Sequence, residues 1–69
     1  MVIEKATILQ LRQAAGLTQA ELARRVGVQT PQVSRWERGV ARPSAHHARR
    51  LARALGIDLA ALELGRQPT

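Results

Sequence analysis

Residues 18–39 read TQAELARRVGVQTPQVSRWERG, and this stretch decides the fold because it has the pattern of two short helices around a sharp turn. Thr18 and Glu21 have the spacing of a capping box, in which each side chain bonds a backbone amide at the start of a helix. Leu17 and Leu22 flank that start at the spacing of a hydrophobic staple. The first helix of the stretch is therefore expected to begin at Thr18.

A glycine and a proline define the turn and the second helix. Gly27 ends the first helix, because glycine adopts a left-handed backbone conformation without a steric penalty. A second helix is expected to start near Gln29 or Thr30, since Pro31 fits only in a first helical turn, where its missing N–H costs nothing. Gly39 ends this second helix in the same way as Gly27 ends the first.

The second helix is amphipathic. Val33 and Trp36 face inward, and the outward positions carry polar or basic side chains: Thr30, Gln32, Ser34, Arg35 and Arg38. Two helices joined by a short glycine turn, the second presenting polar side chains, form a helix-turn-helix motif.

The remaining segments also read as short helices that end at glycines. Candidate starts are Thr18, Gln29, Ser44 and Asp58, and the first helix begins between Glu4 and Thr7; candidate ends are Gly16, Gly27, Gly39, Gly56 and Gly65. We expect residues 65–69 to be frayed and find no alternation long enough for a strand. The sequence therefore predicts an all-α fold of five short helices.

Length and composition limit the possible classes of protein. The 69 residues show no break in composition, which predicts one domain spanning residues 1–69. Such a chain buries roughly 60% of its unfolded surface, so its core is thin. There is no cysteine, no apolar run of membrane length and no signal-peptide layout. We expect a soluble, cytoplasmic protein without disulfides.

The formal charge of +6 is unevenly distributed. Between Arg24 and Arg53 the chain has eight arginines and one acidic residue, Glu37. A charge distribution this one-sided favours a polyanionic partner. The single aromatic residue, Trp36, argues against single-stranded nucleic acid, whose binding needs several stacking rings.

The ordered set of these residues resembles the Cro/cI-type (XRE-type) helix-turn-helix family of bacterial and phage regulators. The similarity covers roughly residues 8–64, and it is carried by Leu11-Arg12, Gly16-Leu17-Thr18-Gln19, Glu21-Leu22-Ala23, Val26-Gly27-Val28, Val33-Ser34-Arg35-Trp36-Glu37-Arg38-Gly39, Pro43, Leu51-Ala52 and Ala54-Leu55-Gly56. The resemblance implies a lambda-repressor-like domain of five helices. It also implies a dimer that binds double-stranded DNA and inserts its third helix into the major groove.

Candidate base contacts lie on the second helix of the motif: Thr30, Pro31, Gln32, Ser34 and Arg35. The guanidinium of Arg35 can bind O6 and N7 of a guanine bidentately, or alternatively a phosphate. Pro31 replaces the polar residue usual in the family, which leaves a thymine-methyl contact or rigidification of the turn. Gln32 and Ser34 could reach either base edges or phosphates.

Candidate phosphate contacts surround this helix: Gln19, Arg38, Arg42 and Ser44. Gln19 follows a helix cap, where the backbone amides and the helix dipole attract an anion. Arg42 could alternatively enter a minor groove. We expect the other arginines to form a solvated basic face without direct contacts: Arg24, Arg25, Arg49, Arg50 and Arg53.

Arg12 and Glu37 are expected to form a structural ion pair, as the resemblance implies for the first and third helices. A carboxylate pointed at a phosphate would repel it, so Glu37 is unsuited to DNA contact. Trp36 is expected in the core because it shares the buried side of Val33.

No metal site, cofactor or enzymatic activity is expected. His46 and His47 point about 100° apart on a helix, and no cysteine or nearby carboxylate completes a metal site. The sequence has no acid pair, no Ser/His/Asp set and no glycine loop for a phosphate, because its glycines end helices.

The favoured function is a sequence-specific, double-stranded-DNA-binding transcriptional regulator, most simply a dimeric repressor. An antitoxin or adaptor of the same fold, whose main partner is a protein, stays open, and a copurifying protein would decide. A membrane-surface binder is disfavoured because its helix would be long and uninterrupted. By resemblance, Leu59, Leu62 and Leu64 are the expected dimer seam.

Overall fold

The computed structural model of the protein describes residues 6–63, most of which lie in four α-helices. The helices are α1 (Ile8–Ala14), α2 (Gln19–Val26), α3 (Thr30–Arg38) and α4 (Ala45–Leu55). The predicted all-α class is confirmed, and α2 and α3 are the two helices of the predicted helix-turn-helix.

The start of α2 has the predicted capping box. The hydroxyl of Thr18 accepts the Glu21 N–H at 3.0 Å, and the Glu21 carboxylate accepts the Thr18 N–H at 2.8 Å. Gly27, the turn glycine that follows α2, has φ 90°. This is a left-handed backbone conformation that residues with a Cβ rarely adopt. The helix therefore begins and ends at the residues indicated by its sequence.

The first helix starts at Ile8, one residue after the predicted range. Thr7 is its N-cap, and Thr7 and Gln10 form a second capping box with bonds of 2.9 and 3.1 Å. This box pairs a threonine with a glutamine, where the box at the start of α2 pairs Thr18 with a glutamate.

The predicted fifth helix is a single 3₁₀ turn, Leu59–Ala61. Asp58 precedes it as expected, but its side chain makes no capping hydrogen bond. The next residues form a two-residue strand, β2 (Leu62–Glu63), parallel to β1 (Ala6–Thr7). Two residues are too few to show the alternation of apolar and polar side chains that indicates a strand, so the sequence did not predict this pair. The predicted cap at Gly65 and the frayed tail lie outside the described residues.

The core is built from one side of each helix and from β2. Its buried side chains are Ile8, Leu22, Ala23, Val26, Val33, Trp36, Leu51 and Leu62, and Leu17 and Val28 pack against them. The burial of Leu62, which is 3% exposed, corrects its assignment to a dimer seam: β2 directs this side chain into the protomer itself. Leu59 is 41% exposed, and Leu64 lies outside the described residues.

Candidate nucleic-acid interface

The outward side of α3 is set by the two residues that it buries. Val33 and Trp36 are 0% and 5% exposed, and at 100° per residue the opposite side of the helix carries Pro31, Arg35 and Arg38. These three residues are exposed. The other predicted base contacts, Thr30, Gln32 and Ser34, are half-buried along the same helix. The helix therefore presents a polar and basic surface centred on its arginines.

Each exposed arginine of α3 contacts a side chain one turn earlier. Nε of Arg38 donates to the hydroxyl of Ser34 at 3.3 Å, and Nη1 of Arg35 donates to Oε1 of Gln32 at 3.5 Å. The second distance is long for a hydrogen bond. Arg35 is thus weakly held by the protein and can exchange Gln32 for another acceptor.

A shallow cleft separates α2 from the first turn of α3. Its lining residues are Ala20, Ala23, Arg24, Val28, Gln29, Thr30 and Pro31. Arg24, expected on a solvated face without direct contact with DNA, is exposed and lies on this cleft beside the tip of α3. In the sequence, Arg24 lies four residues after Ala20, and this spacing places both residues on one side of α2.

Arg12 and Glu37 form a shielded ion pair between α1 and α3. Nε of Arg12 donates to Oε2 of Glu37 at 2.5 Å, and Nη2 donates to Oε1 at 3.2 Å. The side chains are 14% and 5% exposed. The hydrogen bond to Glu37 raises the pKa of Arg12 against the opposing effect of burial, so the guanidinium stays charged.

The same pair reaches the start of α2. Nη1 of Arg12 donates to the backbone oxygen of Leu17 at 2.9 Å, and the amide of Gln19 donates to Oε1 of Glu37 at 2.8 Å. Glu37 therefore accepts three hydrogen bonds, one of them from a residue predicted to bind phosphate. The network fixes the first residue of α2 relative to the last turn of α3.

Gln19 retains binding capacity in this position. The side-chain amide of Gln19 has a second N–H that can still donate a hydrogen bond. The backbone N–H groups in the first turn of a helix also point outward, at the positive end of the helix dipole. Glu21 at the same helix start is kept ionised, because the hydrogen bond from the Thr18 backbone lowers its pKa. Its carboxylate is committed to the cap.

The α3–α4 connection holds the other two predicted phosphate contacts. Arg42 is exposed, and the next residue, Pro43, is buried and anchors the connection. The hydroxyl of Ser44 accepts the His47 N–H at 3.2 Å and lies 3.2 Å from Nδ1 of His47. Ser44 thus caps α4, as expected, while its hydroxyl stays exposed at the helix N-terminus.

One arginine of the expected solvated face has a definite partner. Nη1 of Arg50, on α4, donates to the backbone oxygen of Val26 at 2.9 Å. This bond is internal to the protein, so the expectation that Arg50 makes no direct contact with DNA stays a prediction, and Arg50 is exposed as expected. Helical spacing shows which side of α4 Arg50 occupies, but it does not show that α4 packs against the end of α2.

Trp36 lies in the core beside α4, with its ring centroid 5.5 Å from that of His47. Its Nε1 is buried and has no hydrogen-bond partner among residues 6–63. Within this same part of the chain, no group of three or more His, Cys, Asp or Glu side chains could hold a metal ion. None of the helices described is long and apolar enough to cross a membrane.

Comparison with known proteins agrees with this geometry. Residues 8–62 match the family described as Helix-turn-helix, a range that includes α1 to α4 and the 3₁₀ turn. Searches among curated proteins and among solved structures found no match. The family match covers well over half of the chain, and this chain belongs to the Cro/cI-type (XRE-type) helix-turn-helix family of DNA-binding regulators.

Proposed function

We propose that the protein is a dimeric, sequence-specific repressor that binds double-stranded DNA through the outward side of α3. The observation that carries this proposal is the exposed surface of α3, whose angle to α2 is held by the Arg12–Glu37–Gln19 network. A helix that reads base edges has to enter the major groove at a fixed angle, since base contacts depend on placement within a fraction of an ångström.

The base-reading group consists of Thr30, Pro31, Gln32, Ser34 and Arg35. Arg35 has the strongest case, because it is exposed and its bond to Gln32 is weak. Its guanidinium can donate two parallel hydrogen bonds to O6 and N7 of a guanine. Thr30 and Pro31 lie at the helix tip, where their methyl and ring carbons suit contact with a thymine methyl.

The phosphate-binding group consists of Gln19, Arg38, Arg42 and Ser44. Gln19 and Ser44 lie at the starts of α2 and α4, which attract anions through backbone amides and the helix dipole. Arg38 is the last residue of α3, Arg42 lies in the α3–α4 connection, and both are exposed. These contacts position the protein on DNA without distinguishing sequences.

We further propose that the protein acts in the cytoplasm by binding, without catalysis and without a cofactor. Repression requires only that a bound protein occupies the DNA, which a rigid domain with one exposed reading surface does. A protein partner such as a toxin is the alternative. Its test is whether a second protein copurifies with the chain and competes with DNA.

Two arginines of α3 allow the central test. Replacing Arg35 with Ala should weaken operator binding by about 1–3 kcal/mol for each half of a two-fold-symmetric operator. It should also relax the preference at one base position. Replacing Arg38 with Ala should weaken binding to all sequences equally and lower the slope of log affinity against log salt by about 1 for each phosphate that Arg38 binds. The measurement is the affinity for a selected operator and its single-base variants at several salt concentrations.

The two variants are matched controls for each other. Both side chains are exposed, both substitutions remove one positive charge, and both variants should stay folded. If Arg35→Ala weakens binding to every sequence equally, Arg35 is a phosphate contact and the reading group must be reassigned. If the wild-type protein shows no preference among duplexes, the proposed function itself is wrong.

A further inference from the structure

Arg50 connects α4 to the turn of the helix-turn-helix. Val26 is the last residue of α2, and its backbone oxygen accepts a hydrogen bond from Nη1 of Arg50, 24 residues away, at 2.9 Å. Gly27 follows immediately and makes the turn toward α3. One side chain from outside the motif therefore holds the point at which the motif bends.

The end of α2 needs such a donor. The amides of Gly27 and Val28 both bond the backbone oxygen of Ala23, at 2.8 and 3.0 Å, so they leave the oxygen of Val26 free. The last carbonyls of a helix have no partner within the helix and carry the negative end of its dipole. A guanidinium is well suited there, because it supplies both an N–H and a positive charge.

Gly27 is matched to this contact. A Cβ built on Gly27 would lie 2.9 Å from Nη1 of Arg50, closer than a Cβ normally comes to another atom, so the guanidinium would have to shift from its present position. The left-handed backbone of Gly27 already disfavours other residues. The absence of a side chain at Gly27 therefore serves two purposes: it forms the turn, and it leaves room for the guanidinium.

The neighbouring arginines lack this contact. Arg53 lies one turn later on α4 and lines the same cavity, of about 280 Å³, as Arg25 and Arg50. The guanidinium of Arg53 makes no hydrogen bond or ion pair within the described part of the chain. Arg53 is thus a natural control for the charge and position of Arg50.

We propose that Arg50 is a positioning residue for DNA reading: it fixes the turn at Val26–Gly27 and thereby the angle at which the tip of α3 meets the bases. The proposal rests on the proposed function. Thr30 lies only four residues after Val26, so a shift of the turn displaces the reading tip directly. Arg12 holds the other end of α2 through Leu17, and the two arginines together fix both ends of this helix.

The test compares Arg50→Met with Arg53→Met. Each change removes one positive charge and keeps an unbranched stem, so both should weaken binding to unrelated DNA by a similar factor. Arg50→Met should in addition lower the ratio of operator affinity to unrelated-DNA affinity by up to about tenfold, because the effect on DNA reading cannot exceed the free energy of the one charged hydrogen bond that is removed. Arg50→Lys, which keeps a donor, should restore most of that ratio.

A second measurement does not depend on DNA. Arg50→Met should speed hydrogen exchange at the amides of Gly27 and Val28, and Arg53→Met should not. Unchanged exchange in Arg50→Met overturns the proposal, as does faster exchange with an unchanged affinity ratio. If Arg50→Met does not fold, Arg50→Gln and Arg53→Gln, which are polar, uncharged and too short to replace the guanidinium, take the place of the pair in both measurements.

The two measurements separate the two proposals. Wild-type protein that does not prefer an operator would refute the proposed function, while the exchange comparison would still show whether Arg50 holds the turn. An operator preference that survives Arg50→Met intact would refute the positioning role and leave the proposed function standing.

Discussion

Glu37 is an acidic side chain in the helix that we propose to enter DNA, and its surroundings explain how it is tolerated there. Its carboxylate is 5% exposed, and it accepts bonds from Arg12 and Gln19. The charge is therefore neutralised within the protein and directed away from the exposed side of α3. Glu37 contributes to binding indirectly, because it holds the first residue of α2 in place.

We expect Glu37→Gln to destabilise the fold by about 3 kcal/mol, since removing one partner of a shielded pair leaves the guanidinium of Arg12 without its counter-charge. A pair exposed to water would contribute only about 0–1 kcal/mol. The measurement is the free energy of unfolding in denaturant, monitored by the fluorescence of Trp36, the one tryptophan of the chain.

The double variant Arg12→Met, Glu37→Met is the control for this prediction. It removes both charges from the shielded site, so it should recover part of the stability that Glu37→Gln removes. Recovery should be incomplete, because Arg12 also bonds the backbone of Leu17. An unchanged midpoint in Glu37→Gln would show that the pair contributes no more than a surface bridge.

At the scale of the helices, local chemistry explains why α2, α3 and α4 could be predicted with accurate ends. Thr18 and Ser44 cap α2 and α4 through residues three positions later, Pro31 lies in the first turn of α3, and a glycine follows each of the three helices. Such signals are present in a short stretch of sequence and do not depend on the rest of the fold. The position of α3, and with it the exposed side that we propose to read DNA, follows from the same signals.

The features that could not be predicted depend on parts of the chain that are distant in sequence. The β1–β2 pair joins Ala6 to Leu62 and buries Leu62 in the core. The sequence pattern around Leu62 does not show this burial, and it is equally compatible with a contact to another protomer. The bond from Arg50 to Val26 requires α4 to cross the end of α2. Periodicity shows which side of a helix a residue occupies, but not which helix lies against that side.

The cap of α2 gives a prediction at this scale. Thr18→Ala removes the hydroxyl that accepts the Glu21 amide, and it should lower the free energy of unfolding by about 1 kcal/mol. Gln29→Ala is the matched control, because Gln29 occupies the N-cap of α3 without a side-chain capping bond. Its effect should stay within about 0.5 kcal/mol. Equal midpoints for the two variants in denaturant would show that the Thr18 cap does not stabilise α2.

For the whole molecule, the distribution of charge supports binding to a polyanion. The one acidic residue between Arg24 and Arg53 is Glu37, which is paired with Arg12. The arginines of α3 and α4 are exposed, so the field around these helices is positive. Such a field speeds the encounter with DNA of any sequence and weakens as salt increases. Discrimination among sequences must then come from the contacts of α3.

A single α3 reads only a few base pairs, which is too little to select one site among many competitors. We therefore expect two protomers to bind an operator with two-fold symmetry, its half-sites about one helical turn apart, or about 10 base pairs. Inserting about 5 base pairs, half a helical turn, between the half-sites turns the second half-site to the opposite side of the duplex. We expect the affinity to fall to that of a single half-site.

An insertion of about 10 base pairs, one full turn, is the control. It returns both half-sites to the same side of the duplex but moves them further apart. A rigid dimer should bind this operator weakly as well, whereas two independent monomers should bind the original and both altered operators equally.

Of the predicted seam leucines within residues 6–63, Leu59 stays exposed while Leu62 is in the core. Leu59→Glu should therefore reduce binding to the unaltered operator toward the half-site value without unfolding the protomer. Sedimentation of one protein per operator, or affinities that ignore the spacing, would exclude the dimer.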